Sequence, residues 1–375
     1  MWSSVAAVVL VLAAFVPSAS TRVVALGVEA RQTMSAQFTP GKIALASTGR
    51  TLFVLGFRQC GGASCPELWS ETGGSFIERV APPRTTQHDL GYLVFANALD
   101  GYALESTWTT NPGAYSTTNG GTSWRLVLFG AQVGLVSLVA SDGWFYGVTV
   151  HCMATKKGSL TCDDYRLARS RVGSMTWSSI PIPGTSQLTW QTIGLTAWGG
   201  LVTVQTPTTL LRSVGGRAPW QVIAHDSDMF SVTGGCGLTA SSSSSMWAIC
   251  STGMMAAWFH SSDGGSHFKQ FWWPMGTAGT DLDPVSGNLA FRYTGIELPR
   301  PGELQRTTNG GVTFLSIRHL PFTALHLEFL DAQHGYVLVS TGSVPGAGPF
   351  EVLQTSDGGH TWSRVLCDRI VTGNE

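Results

Sequence analysis

Apolar and polar positions alternate along this chain in short bursts, and Gly, Asp and Asn stand between the bursts. One stretch reads LGYLVFANAL, then GYALEST, then GAYSTT, then SWRLVLF, over residues 90–129. A second, near the end, reads ALHLEFLDA, GYVLVST, FEVLQTS and TWSRVL. Each burst is rich in aromatic and β-branched residues, and each gap carries turn formers, as expected for strands joined by tight turns. No long segment holds the 3.6-residue period of an amphipathic helix. The pattern predicts an all-β chain of many short antiparallel strands.

The bursts recur with a fixed period. Four segments match closely: STTNGGTSW (116–124), HSSDGGSHF (260–268), RTTNGGVTF (306–314) and QTSDGGHTW (354–362). Three weaker ones fill the gaps: WSETGGSF (69–76), ARSRVGSMTW (168–177) and LRSVGGRAPW (211–220). They end on Phe76, Trp124, Trp177, Trp220, Phe268, Phe314 and Trp362, spaced 48, 53, 43, 48, 46 and 48 residues apart. Such a period is the length of one four-stranded propeller blade. The prediction is a single seven-bladed β-propeller of four-stranded antiparallel blades over 38–368. In each motif Asp or Asn can accept hydrogen bonds from nearby backbone N–H groups and Gly supplies a positive φ. The closing aromatic is suited to pack between blades, covering on the order of 200 Å².

These residues resemble the Asp-box, or BNR, repeat. Thr117, Asn119, Gly121 and Trp124 fill its key positions in the second unit, and Ser261, Asp263, Gly265 and Phe268 do so in the fifth. Thr307, Asn309, Gly311 and Phe314 follow in the sixth, and Thr355, Asp357, Gly359 and Trp362 in the seventh. Their role is structural, since two of the four acidic positions are Asn, which is neither a general acid nor a general base. Units 1, 3 and 4 carry Thr72, Val172 and Val214 there instead, and their turns are expected to be looser. The resemblance implies the sialidase-like propellers, a group that takes in sialidases, xyloglucanases, sortilin-type receptors and YCF48-like photosystem II assembly factors. FANALDGYAL and FLDAQHGYVL look most like the last. Fold alone does not transfer function.

Composition adds compartment and partner class. Val5 to Val16 is an uninterrupted apolar run followed by Pro17-Ser18-Ala19-Ser20. The run is too short to span a membrane, so residues 1–20 read as a cleaved signal peptide, with an uncleaved anchor as the alternative. Residues 21–37 are then an N-terminal extension, with 23–30 a possible outer closing strand, and 369–375 a tail. Export suits the seven cysteines. Cys60 and Cys65, Cys152 and Cys162, and Cys236 and Cys250 lie close enough in sequence to predict three local disulfides. Cys367 is left over as a free thiol or an intermolecular bridge. The formal net charge is −1 and no basic block exists, which argues against a dedicated nucleic-acid binder. No cofactor or metal motif is present.

With strands named a to d outward from the axis, the motifs lie at the c–d turns, on the same face as the a–b turns. The opposite face is built by b–c and d–a connections. Its b–c members, at 57–66, 107–113, 151–164, 206–208, 252–255, 294–302 and 340–349, are predicted to be long and irregular, and all three disulfides fall near them. Candidate ligand-binding residues there are Arg84, His88, Asp89, Trp108, Asp226, Asp281, Arg300 and Arg318. Asp89, Asp226 and Asp281 sit near the starts of inner strands, and Asp281 and Asp283 are two apart. Paired carboxylates of that kind serve acid/base work on a glycosidic bond, and Trp190 and Trp272-Trp273 are of a type that stacks on sugars. The resemblance to sialidases fails at its demands. The early Arg-Ile-Pro element is replaced by Phe57-Arg58-Gln59, Arg212 falls on the motif face, and no Tyr–Glu pair can be read. The expectation is a secreted propeller that binds a protein or carbohydrate ligand on the b–c/d–a face, with a glycoside hydrolase as alternative. The Ser241–Ser245 run is expected to be a flexible a–b turn.

Overall fold

The computed structural model describes residues 38–48, 51–60, 63–83, 92–104, 114–154, 160–185, 193–225, 236–252, 255–271, 281–294, 302–341 and 349–367. These form seven four-stranded antiparallel sheets and no helix. Blade 1 contains β1 (Thr39–Leu45), β2 (Leu52–Cys60), β3 (Ala63–Thr72) and β4 (Ser75–Arg79). Blade 2 contains β5 (Leu93–Phe95), β6 (Gly101–Leu104), β7 (Ala114–Thr117) and β8 (Arg125–Val127). Blade 3 contains β9 (Val133–Ser141), β10 (Trp144–Ala154), β11 (Leu160–Arg171) and β12 (Ser178–Pro181). Blade 4 contains β13 (Gly194–Trp198), β14 (Leu201–Gln205), β15 (Thr209–Val214) and β16 (Gln221–His225). Blade 5 contains β17 (Cys236–Ala240), β18 (Met246–Thr252), β19 (Met255–Ser261) and β20 (Lys269–Phe271). Blade 6 contains β21 (Asp281–Pro284), β22 (Ala290–Thr294), β23 (Gly302–Thr307) and β24 (Leu315–Leu320). Blade 7 contains β25 (Thr323–Phe329), β26 (Gly335–Ser340), β27 (Phe350–Thr355) and β28 (Ser363–Cys367). The expected seven-bladed propeller is the observed fold.

Each blade pairs its strands in chain order, and the first strands of neighbouring blades lie against one another around the axis. A strand with both faces covered buries every residue, and β22 and β26 do so throughout. The core is divided into seven seams. One joins blades 1 and 2, through Phe53, Leu68 and Phe95. Equivalent clusters join each successive pair, up to Phe291, Leu304 and Phe329 between blades 6 and 7. The last cluster packs Tyr336, Leu338 and Val352 of blade 7 against Leu52, Val54 and Trp69 of blade 1, and so closes the ring. The Tyr336 hydroxyl reinforces this closure by donating to Glu71 Oε2 at 2.9 Å. Every described blade draws four strands from its own stretch of sequence. Residues 1–37 and 368–375, including the proposed closing strand, lie outside the described residues.

All seven tip aromatics occupy one kind of place. Trp124 is packed on the blade 1–2 seam, Trp177 on 2–3 and Trp220 on 3–4. Phe268, Phe314, Trp362 and Phe76 continue the series around to the 7–1 seam. Each therefore wedges between its own blade and the preceding one. Trp124 and Trp220 also donate their indole N–H to the preceding blade, at Val80 O (2.7 Å) and Pro181 O (2.9 Å).

The turns before these aromatics fall into two sets. In blades 2, 5, 6 and 7 the Thr or Ser hydroxyl donates to the Asn or Asp Oδ1 at 2.8–3.0 Å. The same hydroxyl accepts the N–H of the second glycine at 2.7–2.9 Å. Blade 1 closes its corner in two residues, tighter than expected, with Thr72 paired to Ser75; blades 3 and 4 keep corners at 170–177 and 213–220, as long as those of blades 2, 5, 6 and 7. Gly73–Gly74 makes a two-residue reversal with both φ positive; within the longer corners, Ser174 N donates to Arg171 O at 2.9 Å across Val172–Gly173, and Arg217 N to Val214 O at 3.2 Å across Gly215–Gly216. Side chains hold all three turns: Gly74 N donates to Glu71 Oε1 at 2.5 Å, Ser170 Oγ to Ser174 O at 3.1 Å and Ser213 Oγ to Arg217 O at 2.5 Å. The Ser241–Ser245 turn is likewise fastened. Ser244 O accepts Gly264 N at 2.7 Å, and Ser245 Oγ donates to Gly287 O of blade 6 at 2.9 Å.

Candidate functional site

The b–c and d–a connections all emerge at the end of the ring opposite the motif turns. Three disulfides cluster at that end. Cys60–Cys65 ties β2 to β3, Cys152–Cys162 ties β10 to β11, and Cys236–Cys250 ties β17 to β18. In the last two the cysteines are direct cross-strand partners and are buried in the seam cores. Several of the described hairpins here are more regular than the sequence suggests. β2 and β3 run to within two residues of each other, as do β18 and β19, and β10 and β11 to within five. The 206–208 connection is a tight turn in which Thr206 N donates to Thr209 O at 2.8 Å. On the blade 3 hairpin, His151 Nδ1 lies 3.1 Å from Asp163 Oδ1.

The first strands also set the chemistry of the axis. Blade 1 contributes Lys42, whose ammonium sits 5.6 Å from the centroid of the Tyr92 ring; burial lowers its pKa below the ordinary lysine value. Blades 6 and 7 contribute acids and a histidine. Alternation along β21 turns Asp281 and Asp283 the same way, toward β25. Asp281 Oδ2 accepts Leu327 N at 2.6 Å, and Asp283 Oδ2 accepts Phe329 N. His326 stands between carboxylates, with Nδ1 3.1 Å from Asp281 Oδ2 and Nε2 3.0 Å from Glu328 Oε1. Burial alone would lower the His326 pKa, but the bonds and charges of Asp281 and Glu328 lift it well above the usual histidine value. Burial, then the Glu328 charge, lifts Asp283 well above the usual carboxylate value, and its bond from Phe329 N–H works against that. Burial raises a carboxyl pKa because the ionised form loses water. Among the described residues no group of three or more His, Cys, Asp or Glu is arranged to hold a metal.

Of the eight ligand-binding candidates, Asp281 and Arg318 fall among the described residues. Arg84, His88, Asp89, Trp108, Asp226 and Arg300 lie outside them, as do Trp190 and Trp272-Trp273. Asp281 is on the first strand, at the axis. Arg318 is on β24, the outermost strand of blade 6, and donates to His360 O in the motif turn of blade 7 at 2.5 Å. The structure therefore does not bring these two together, and it directs Arg318 toward the motif face. His326 and Glu328 join Asp281 without having been singled out in the sequence. The signal was there: 46 residues, one blade period, separate Asp281 from Leu327 and Asp283 from Phe329. A second unforeseen device precedes the motif hydroxyl. Arg169 and Arg212 each donate to the glycine carbonyl of the next blade's turn, Gly215 and Gly264. Its trace in the sequence is the recurrent Arg-Ser or Arg-Thr pair of blades 3, 4 and 6.

No protein-family model and no curated protein matches the chain. Solved structures do. YCF48 bound to a D1 peptide is 13% identical with a TM-score of 0.52, over 86% of this chain and 92% of that one. The β-propeller domain of the trilobed protease from Pyrococcus furiosus is 8% identical with a TM-score of 0.55, over 88% and 98%. Puromycin hydrolase, in complex with PGG, is 12% identical with a TM-score of 0.58; this chain spans 53% of its length, and 88% of this chain is covered. At such identities the likeness establishes the fold. A peptide-bound propeller, a protease domain and a hydrolase share it, so the fold does not choose between binding and catalysis.

Proposed function

We infer that this chain is an exported Asp-box propeller that binds a protein partner, through an extended segment of it, on the face built by the b–c and d–a connections. The observation that carries this reading is the placement of the disulfides. All three sit at that one end of the ring, while the motif face has its short turns held by hydrogen bonds. Pre-ordering a surface reduces the entropy lost on binding. The peptide held by the YCF48 propeller lends the partner class support. Arrays of peptides and glycans probed with the purified protein test the reading. Peptide binding is expected, and it should weaken tenfold or more in a Cys60→Ser/Cys65→Ser variant whose circular dichroism is unchanged. Binding that survives this variant and is instead lost in Trp198→Ala, on the motif face, would overturn the face assignment.

A glycoside hydrolase is the second reading, favoured by the carboxylates that meet at the axis. Asp283, whose pKa is lifted well above the usual carboxylate value by burial and then by Glu328, has the character of a general acid. Against it, Asp281 and Asp283 each already accept a backbone N–H of β25. Turnover of a chromogenic glycoside that disappears in Asp283→Asn would establish this reading in place of the first.

A further inference from the structure

At two seams, between blades 4 and 5 and between blades 6 and 7, side chains of one first strand accept backbone N–H groups of the next. Between blades 4 and 5 the acceptor is neutral: Thr196 Oγ1 takes Ala240 N at 2.8 Å. Between blades 6 and 7 both acceptors are carboxylates, Asp281 and Asp283, and His326 of β25 bonds to Asp281 across the seam. We propose that Asp281, Asp283, His326 and Glu328 form a proton-operated latch that holds the blade 6–7 seam tight at mildly acidic pH and loosens it as the pH rises.

Charge counting gives the reason. Two aspartates on β21 and Glu328 on β25 bring three carboxylates to one seam, and His326 is the cation among them. With His326 protonated and Asp283 neutral, one positive charge faces two negative ones. Loss of both protons leaves three carboxylates with no cation among them, and like charges across a seam repel. The other strands packed on β25 do not neutralise the group. β1 brings Lys42, which lies over Tyr92. β22 brings Arg292, stacked on Phe314 at 3.7 Å on the blade 5 side, and Tyr293, whose hydroxyl donates to Phe322 O. β26 brings Tyr336, bonded to Glu71. Both His326 and Asp283 hold protons more tightly in the fold than the ordinary values of their side chains. For each, the stabilisation is fully present below the ordinary value and is lost as pH rises through the raised one. The two groups thus act in the same direction.

The test uses the full-length protein and three measurements. First, the His326 ring, assigned by its loss in His326→Gln, should titrate above the ordinary histidine value; titration at or below that value overturns the latch. Second, hydrogen exchange at Leu327 and Phe329, each rate divided by the intrinsic rate, should lose about tenfold protection between about pH 6 and pH 9. Ala240, in the neutral clasp of the 4–5 seam, should not. Equal behaviour at both seams overturns the proposal. Third, Asp283→Asn mimics the protonated acid and keeps an acceptor for Phe329 N–H. It should raise Tm by about 1–3 °C near pH 8 and flatten the pH dependence. A lower Tm in this variant at both pH extremes would mean that Asp283 works ionised, and would refute the latch. The histidine titration needs no folded Asp283 variant, so the proposal stays testable if that variant is unstable.

Discussion

The c–d corners of blades 2, 5, 6 and 7 and those of blades 1, 3 and 4 reverse the chain by different chemistry. Blades 6 and 4 do so over corners of equal length, 307–314 and 213–220. Thr307 takes Gly311 N, and Asn309 takes Thr313 N at 3.0 Å. In blade 4 Arg217 N returns to Val214 O at 3.2 Å across Gly215–Gly216, and Ser213 Oγ donates to Arg217 O at 2.5 Å. Both kinds still hand an N–H to the a–b turn of their own blade: Gly310 to Asn288 O at 3.0 Å, Gly215 to Gly200 O at 2.6 Å. Both deliver an aromatic to the preceding seam. What the propeller requires is the reversal and the wedge. The hydroxyl–carboxamide net is one way of satisfying the backbone of such a corner, since buried N–H groups must find acceptors.

The largest break in this comparison is expected at the glycines. Gly359, in a full motif, has φ +91 and a Cβ there would fall 2.3 Å from Leu304 Cδ2 in the 6–7 seam. Gly74, in a two-residue turn, has φ +89 and open space around it. Gly359→Ala should cost about 3 kcal/mol, from backbone strain plus overpacking, and Gly74→Ala about 1 kcal/mol. Urea unfolding measures both, and equal costs would remove the distinction between the corners.

A smaller effect separates the hydroxyls. Thr307→Val takes the hydroxyl acceptor from Gly311 N and Asn309 N and one of its bonds from Asn309 Oδ1, and should cost about 2 kcal/mol. Ser213→Ala removes one bond, from Ser213 Oγ to Arg217 O at 2.5 Å, and should cost about 1 kcal/mol. The same unfolding curves decide the order of the two.

The smallest effect is an acid one, and it sharpens the comparison within the full motifs. Hydrogen bonds and nearby His267 hold Asp263 down to about 2, although burial opposes them. Bonds from Thr361 hold Asp357 at about 2 as well. A depressed carboxylate contributes stability above its ordinary value and loses it as pH falls through the depressed one, here between about 4 and 2. Asn119 and Asn309 do not titrate. The amide shifts of His267 and Thr361 should therefore move with a midpoint near pH 2, while those of Ser123 and Thr313 stay still. Movement at all four amides would show a global acid transition in place of local titration.

Legibility in the sequence followed the range of the interaction. The motif net spans four residues, from Thr307 to Gly311, and could be read from one line of text. The disulfides close over 5, 10 and 14 residues, and proximity alone paired them correctly. The turn of blade 1 was misjudged because a missing acid was taken as a missing restraint, when a glycine pair with its N–H bonded to Glu71 restrains the chain as well. The 151–164 connection was taken as irregular because its cysteines were read as staples on a loop; Cys152 and Cys162 are instead cross-strand partners in the ladder of β10 and β11. At the candidate site, Asp281 and Asp283 could be placed at an inner strand, but their partners His326, Leu327 and Phe329 lie a full blade away.

Periodicity by itself determined the number of blades, the wedge position of the aromatics and the face on which the motifs lie, because each depends on local backbone geometry repeated at a fixed interval. Tertiary structure decided which blade's carboxylates meet which blade's histidine, that Arg318 turns to the motif face, and that blade 7 closes on blade 1 through Tyr336 and Glu71. Those contacts depend on how one sheet is rotated and shifted against the next. That docking is set by side chains packing across a seam, where each partner belongs to a different repeat and neither repeat alone encodes the distance between them.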